Sequence, residues 1–123
     1  MTRRDDRVAP RHMRDHAAEA AAIARAHSRG DLDADRLLAL GLTKLVEIIG
    51  EAASRVSPIT QDAHPRVPWR QIVGTRNRLV HGYDEIDFDV LWRIVSAELP
   101  PLVEQIETIL AEGRKNGTRI AFD

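Results

Sequence analysis

The chain has 123 residues, enough for one domain with a modest core and too few for two. Its 43% hydrophobic and 30% charged residues exclude a disordered chain, and the absence of cysteine excludes disulfides, thiolate metal sites and a cysteine nucleophile. A formal net charge of −1 gives no global attraction for a polyanion, so any such argument must come from local clustering.

The N-terminus, Met1-Thr2-Arg3-Arg4-Asp5-Asp6-Arg7, is charged and leads into no apolar run of signal type. No later stretch reaches the length of a membrane span, and the expected home is cytoplasmic, with no membrane partner. Strand signals are scarce before Asn116-Gly117, so the expected class is all-α, an up-and-down four-helix-type bundle.

The first helix is expected over residues 6–29, rich in alanine from Ala17 to Ala26, stopped by Gly30, with Pro10 either in its first turns or kinking it. Asp31 and Asp33 are plausible caps for a second helix reaching Val56, in which Leu38, Leu42, Leu45, Ile49, Ala52 and Val56 repeat at helical steps. Leu37, Val46 and Ile48 widen that apolar surface, which suits a second neighbour or a second chain. Residues 57–68 hold Pro58, Pro65 and Pro68 and read as a loop, and a third helix starts near Trp69. A fourth runs over residues 87–113 with Phe88, Leu91, Val95, Leu99, Leu102, Val103, Ile106 and Leu110 on one face, kinked or broken at Pro100-Pro101. The helical domain is thus residues 1–113, followed by a short polar tail, 114–123, of open conformation.

Between Ala63 and Tyr83 lie four arginines (Arg66, Arg70, Arg76, Arg78), two histidines (His64, His81) and no acidic residue. Such a block concentrates positive potential without raising net charge, as a phosphate-binding surface requires, although a solvated helix face has the same composition. On a single third helix, at about 100° per residue, Trp69, Ile72, Val73, Leu79 and Val80 form the apolar arc and Arg76 falls near its centre. A buried guanidinium is costly unless paired, so Arg76 is held by a carboxylate, faces a second chain or lines a cleft. Asn77 and His81 then share one flank, about 40° apart on the wheel, within reach of Arg76 if the last turn bends or frays.

Those groups suit phosphodiester transfer in RNA: His81 takes or gives a proton on the attacking or departing oxygen, and Arg76 stabilises the charged phosphorane. Imidazole fits because its ordinary pKa of about 6.5 leaves both protonation states accessible near neutrality, and no metal or other cofactor is required. The second acid/base group is His81 of a second copy, Tyr83 or water. His12 and His16 have a metal-binding spacing but no evident third ligand, and they read as surface histidines. Lys44, Glu47, Glu51 and Arg55 form a polar ladder of surface ion pairs, one carboxylate of which is placed to orient Arg76. Trp69 and Trp92 read as core anchors.

The run Arg76-Asn77-Arg78-Leu79-Val80-His81-Gly82-Tyr83 resembles the signature of the HEPN superfamily, and His-Gly-Tyr narrows the resemblance to HepT-like proteins. Arg11-His12-Met13, Glu47-Ile48-Ile49-Gly50-Glu51-Ala52-Ala53, Val67-Pro68-Trp69, Ile72-Val73-Gly74, Tyr83-Asp84-Glu85-Ile86-Asp87 and Leu99-Pro100 resemble the same family in the same order. The resemblance implies a helical homodimer whose two motifs meet in one cleft and act as a metal-independent endoribonuclease, with transfer RNA among its targets. It implies Arg76 and His81 as catalytic residues and Asn77 as a polar support, while the basic block itself offers Arg66, Arg70 and Arg78 as RNA-binding candidates. It also implies a toxin–antitoxin pair, in which a minimal nucleotidyltransferase (MNT) transfers one or more AMP units from ATP to Tyr83. An added phosphate and nucleoside two residues from His81 would fill the basic cleft and repel RNA. The competing readings are a non-catalytic subunit that binds nucleic acid or nucleotide, or docks a nucleotidyltransferase, and a structural dimer with Arg76 in an interface ion pair.

Overall fold

The computed structural model describes residues 7–81 and 85–121, with side chains to residue 112. Helix α1, Val8–Arg25, buries Pro10, Met13, Ala17, Ala20, Ala21 and Ala24. The small alanine side chains let this one helix pack along both long helices introduced below, α3 and α8. Pro10 lies in the first turn, where its missing N–H has no intrahelical acceptor to lose, so it starts the helix without kinking it.

The helix ends earlier than the sequence suggests, because the Ala26 and His27 N–H groups tighten onto Ile23 and Ala24 and the His27 ring donates to the Ile23 carbonyl at 2.9 Å. Gly30, expected as the stop, instead has ordinary right-handed helical dihedrals (φ −64°, ψ −22°) before a one-turn helix α2, Asp31–Ala34. A Cβ on Gly30 would meet nothing within 4 Å. Gly30→Ala is therefore expected to stabilise the fold by about 0.4–1 kcal/mol through the unfolded chain, read as a rise in thermal midpoint.

Neither Asp31 nor Asp33 caps the long second helix: Asp31 accepts the Ser28 N–H at 2.9 Å, and Asp33 pairs with Arg29 at 2.9 Å. The cap is Asp35, whose carboxylate accepts the Leu38 N–H at 3.1 Å and opens α3, Arg36–Ser54. The expected loop over residues 57–68 contains α4, Pro58–Ala63, begun by Ser57 as cap and Pro58 at the first helical position.

The expected third helix is two short ones, α5, Trp69–Val73, and α6, Thr75–Leu79, divided at Gly74. A two-residue antiparallel ribbon follows, β1, Val80–His81, and β2, Glu85–Ile86, with Val80 opposite Ile86 and His81 opposite Glu85. Helix α7, Phe88–Arg93, then runs through a π-helical turn, Ile94–Glu98, into α8, Leu99–Ala121. The Leu99 N–H reaches back five residues to the Ile94 carbonyl, and this widened turn receives Pro100-Pro101, which cannot donate. The backbone of α8 continues across position 113, where the sequence reading ends the domain.

The core lies between α1, α3, α7, the π turn and α8, with Leu42, Ile49, Leu91, Val95 and Ile106 among its fully buried side chains. Trp69 is buried with its indole N–H on the His64 carbonyl at 3.0 Å, while Trp92 is half-buried against the core. Val46 joins the core, whereas Leu37 is left 80% exposed on α3. No helix of the described residues is long and apolar enough to cross a membrane.

Candidate active site

Arg76 does not occupy a buried arc. Gly74 closes α5 and resets the helical phase, so Thr75 and Leu79 take the inward positions of α6 and Arg76 turns outward. The Thr75 hydroxyl fixes this restart by donating to the Ile72 carbonyl at 2.6 Å. Val73, placed in the arc by the single-helix reading, is exposed for the same reason.

Arg76 lines two clefts, and among the described residues no carboxylate holds it. One cleft of about 430 Å³ runs between α3 and the α5–α6 pair, and a second of about 570 Å³ runs between α3, the ribbon and Phe88. Arg76, Lys44 and Glu47 line both. Arg36 lines the second with Lys44, each about one helical turn from Leu40 on the same face of α3. Among the described residues none of Arg36, Lys44 and Arg76 forms an ion pair, and neither Glu47 nor Glu51 clamps Arg76. Glu51 pairs instead with Arg55 at 3.2 Å. Three cations that have no carboxylate partner among the described residues thus border one cleft, tempered by Glu47 and Glu85 on its walls.

His81 is not on the helix that carries Asn77, so the shared-flank argument does not hold; the imidazole projects from β1 with its side chain 63% exposed. Val80 and Glu85, its chain neighbour and its ribbon partner, line the Arg76 cleft. His81 Nε2 lies 3.1 Å from Asp87 Oδ2. Asp87 Oδ1 meanwhile accepts the Asp89 and Val90 N–H groups at 3.0 and 3.1 Å and caps α7. The Val90 N–H above all, with His81 and the Asp89 N–H, holds the Asp87 carboxyl below the usual carboxylate range against the opposing effect of burial. Asp87 marked only a helix start in the sequence; a cap residue six positions after the histidine becomes its partner because the ribbon folds the chain back.

Asn77 is exposed on α6. Arg66 and Arg70 are exposed, Arg66 beside His64 and Gln105 in a separate cleft. Arg78 is committed within the molecule, its two terminal nitrogens donating to the Glu98 oxygens at 2.9 and 2.7 Å. Tyr83 lies outside the described residues. His16 donates its Nδ1 proton to the His12 carbonyl at 2.7 Å. Sequence reasoning overlooked Arg36 and read Lys44 as part of a bland ladder; the stripe Arg36-Leu40-Lys44, at steps of four, was the available signal.

A family model described as Ribonuclease HepT-like matches residues 13–109. The chain belongs to the HepT-like family. As a HepT-like protein of the HEPN superfamily it shares 33% identity over 75 residues with a candidate RNase of Methanocaldococcus jannaschii, across 61% of this chain and 69% of that protein. It shares 32% over 79 residues with a candidate ribonuclease HepT of Thermococcus cleftensis, across 64% and 72% of the two chains. It shares 32% over 80 residues with a candidate RNase of Caldanaerobacter subterraneus subsp. tengcongensis, across 65% and 71%. No solved structure matches the chain at a significant level. The HepT-like match begins inside α1 and ends inside α8, so it takes in the apolar core from Met13 to Ile109 and the Arg76-to-Asp87 segment.

Proposed function

We propose that this HepT-like chain is the toxin of a HEPN/MNT toxin–antitoxin pair, a metal-independent endoribonuclease acting through Arg76 and His81 and silenced by AMPylation of Tyr83. The observation that carries this reading is Arg76, unpaired among the described residues, in a cleft with Arg36 and Lys44 whose far wall is the ribbon that bears His81. Phosphate is the ligand that suits such a cluster, and the exposed Arg66 and Arg70 remain candidates for contacts to more of the RNA backbone.

In the reaction, the 2′-hydroxyl of the substrate attacks the adjacent phosphorus, and the P–O5′ bond breaks as the P–O2′ bond forms. His81 removes the proton of the attacking oxygen or supplies that of the leaving one, and Arg76 neutralises the equatorial oxygens of the phosphorane. The side chains supply both roles without a metal. The partner group for the second proton comes from a second copy of the chain, for which the exposed Leu37 and Leu40, on the helix that borders the cleft, provide an apolar face. Silencing is the attack of the Tyr83 phenolic oxygen on the α-phosphorus of ATP, with pyrophosphate leaving as the new P–O bond forms.

The test is mass spectrometry of the protein purified alone and after incubation with an MNT-type nucleotidyltransferase encoded beside it and ATP, with RNA cleavage measured on both samples with and without EDTA. The unmodified protein is expected to cleave in either buffer, and AMP increments on Tyr83 are expected to extinguish cleavage. Binding of RNA without cleavage by the unmodified sample would move the assignment to a non-catalytic binding subunit.

A further inference from the structure

Beyond the two motif residues, the ribbon builds a third group into the site. Three constraints fix Asp87 in place: its N–H donates to the Leu79 carbonyl at 2.8 Å, Val80 pairs with Ile86 across the ribbon, and one carboxylate oxygen is held by two N–H groups of α7. The remaining oxygen, Oδ2, faces His81 Nε2 at 3.1 Å. An ionised carboxylate only accepts, so the proton of this contact belongs to the imidazole.

We propose that Asp87 is the positioning residue of the site, holding His81 in the tautomer that carries its proton on Nε2 and leaves Nδ1 as the nitrogen that exchanges a proton with RNA. This rests on the ribonuclease reading for its consequence but not for its geometry. The logic is that of any acid/base histidine whose second nitrogen is tied to a carboxylate: the carboxylate sets ring orientation and tautomer and stabilises the imidazolium once it forms. Here the carboxylate is itself anchored by the helix it caps, so the imidazole is referenced to α7 and, through the Leu79 carbonyl, to α6, the helix of Arg76. The two catalytic side chains therefore share one mount although neither the helix nor the ribbon is continuous between them.

The decisive variant is Asp87→Asn in the full chain. Asparagine caps helices about as well as aspartate, so α7 is retained. Its single carbonyl oxygen is claimed by the Asp89 and Val90 N–H groups, which turns the amide NH2 toward Nε2 and reverses the hydrogen-bond demand on the ring. Long-range 1H–15N spectra of labelled protein are expected to show His81 with its proton on Nε2 in the wild type and on Nδ1 in the variant. Cleavage is expected to lose about 100-fold or more in kcat, with KM within about threefold, as fits a wrong tautomer rather than a lost binding contact. Asp87→Ser, which keeps a capping oxygen but has no amide to present, is expected to release the ring into a tautomer mixture with a smaller loss, and it serves as the readout if the asparagine variant fails to fold. An unchanged His81 tautomer in the folded variant overturns the proposal. Should the wild type bind RNA without cleaving it, the spectra still decide whether Asp87 holds His81, and only the ribonuclease reading falls.

Discussion

Alanine at either Arg76 or His81 is expected to remove RNA cleavage while leaving the thermal unfolding midpoint close to that of the wild type. Losing a preorganised cation at the phosphorane typically costs about 10²–10³ in kcat, and losing a positioned acid/base group about 10²–10⁴. Both side chains are exposed and neither is packed in the core, so the stability change is expected within about 0.5 kcal/mol. The double variant is expected to be little worse than the more damaging single one, since the two groups act on the same transition state. Sedimentation of the Arg76→Ala protein alongside the assay separates catalysis from assembly. Residual cleavage near the wild-type rate sinks the assignment, and loss of a dimer in that variant points to an interface ion pair instead.

The second large effect is expected at Leu79. This residue is fully buried and closes α6, a helix of five residues that has only Thr75 as its other inward side chain. Leu79→Ala is expected to cost about 2–5 kcal/mol, the transfer of the lost methyl groups plus the cavity left between α6 and the core. The thermal midpoint is expected to fall by roughly 4–8 °C for each kcal/mol, measured by calorimetry or circular dichroism. Because the Leu79 carbonyl also receives the Asp87 N–H, the same substitution loosens the foot of the ribbon. Cleavage is expected to drop even at temperatures where the protein remains folded. A variant that melts with the wild type would mean that α6 is not held by this side chain.

Most of the scaffold was legible from periodicity. The alternating three and four spacing through Leu42, Ile49 and Ala52 marked the inward face of α3, and Leu91, Val95, Leu102 and Ile106 did the same for the last helix, because burial alone imposes that pattern. The segment around the motif was legible as chemistry but not as geometry. Extending one helical wheel from Trp69 to His81 assumed a continuous axis, and a glycine at position 74 breaks that axis with no proline or charge run to announce it. The wheel consequently buried Arg76, which is exposed, and set His81 beside Asn77 on a helix it does not occupy. Arg78 looked the same as its neighbours until Glu98, twenty residues away, claimed it, and no local pattern encodes a contact at that separation. Asp87 was visible as a helix start and invisible as a partner, since only the return of the ribbon brings it to His81.

That forked bond between Arg78 and Glu98 has a consequence for how substrate is met. It braces α6 from the side of the π turn, while Thr75 and Leu79 brace it from within, so the backbone on either side of Arg76 is anchored by contacts that the folded chain already makes. The conformational entropy of ordering that backbone, about 1–2 kcal/mol per residue, is lost when the chain folds and not when RNA arrives. If Arg76 meets the scissile phosphate as proposed, only its side chain remains to be quenched on encounter, which would leave most of the phosphate's electrostatic attraction available as affinity and keep the cation in place as charge develops on the phosphorus.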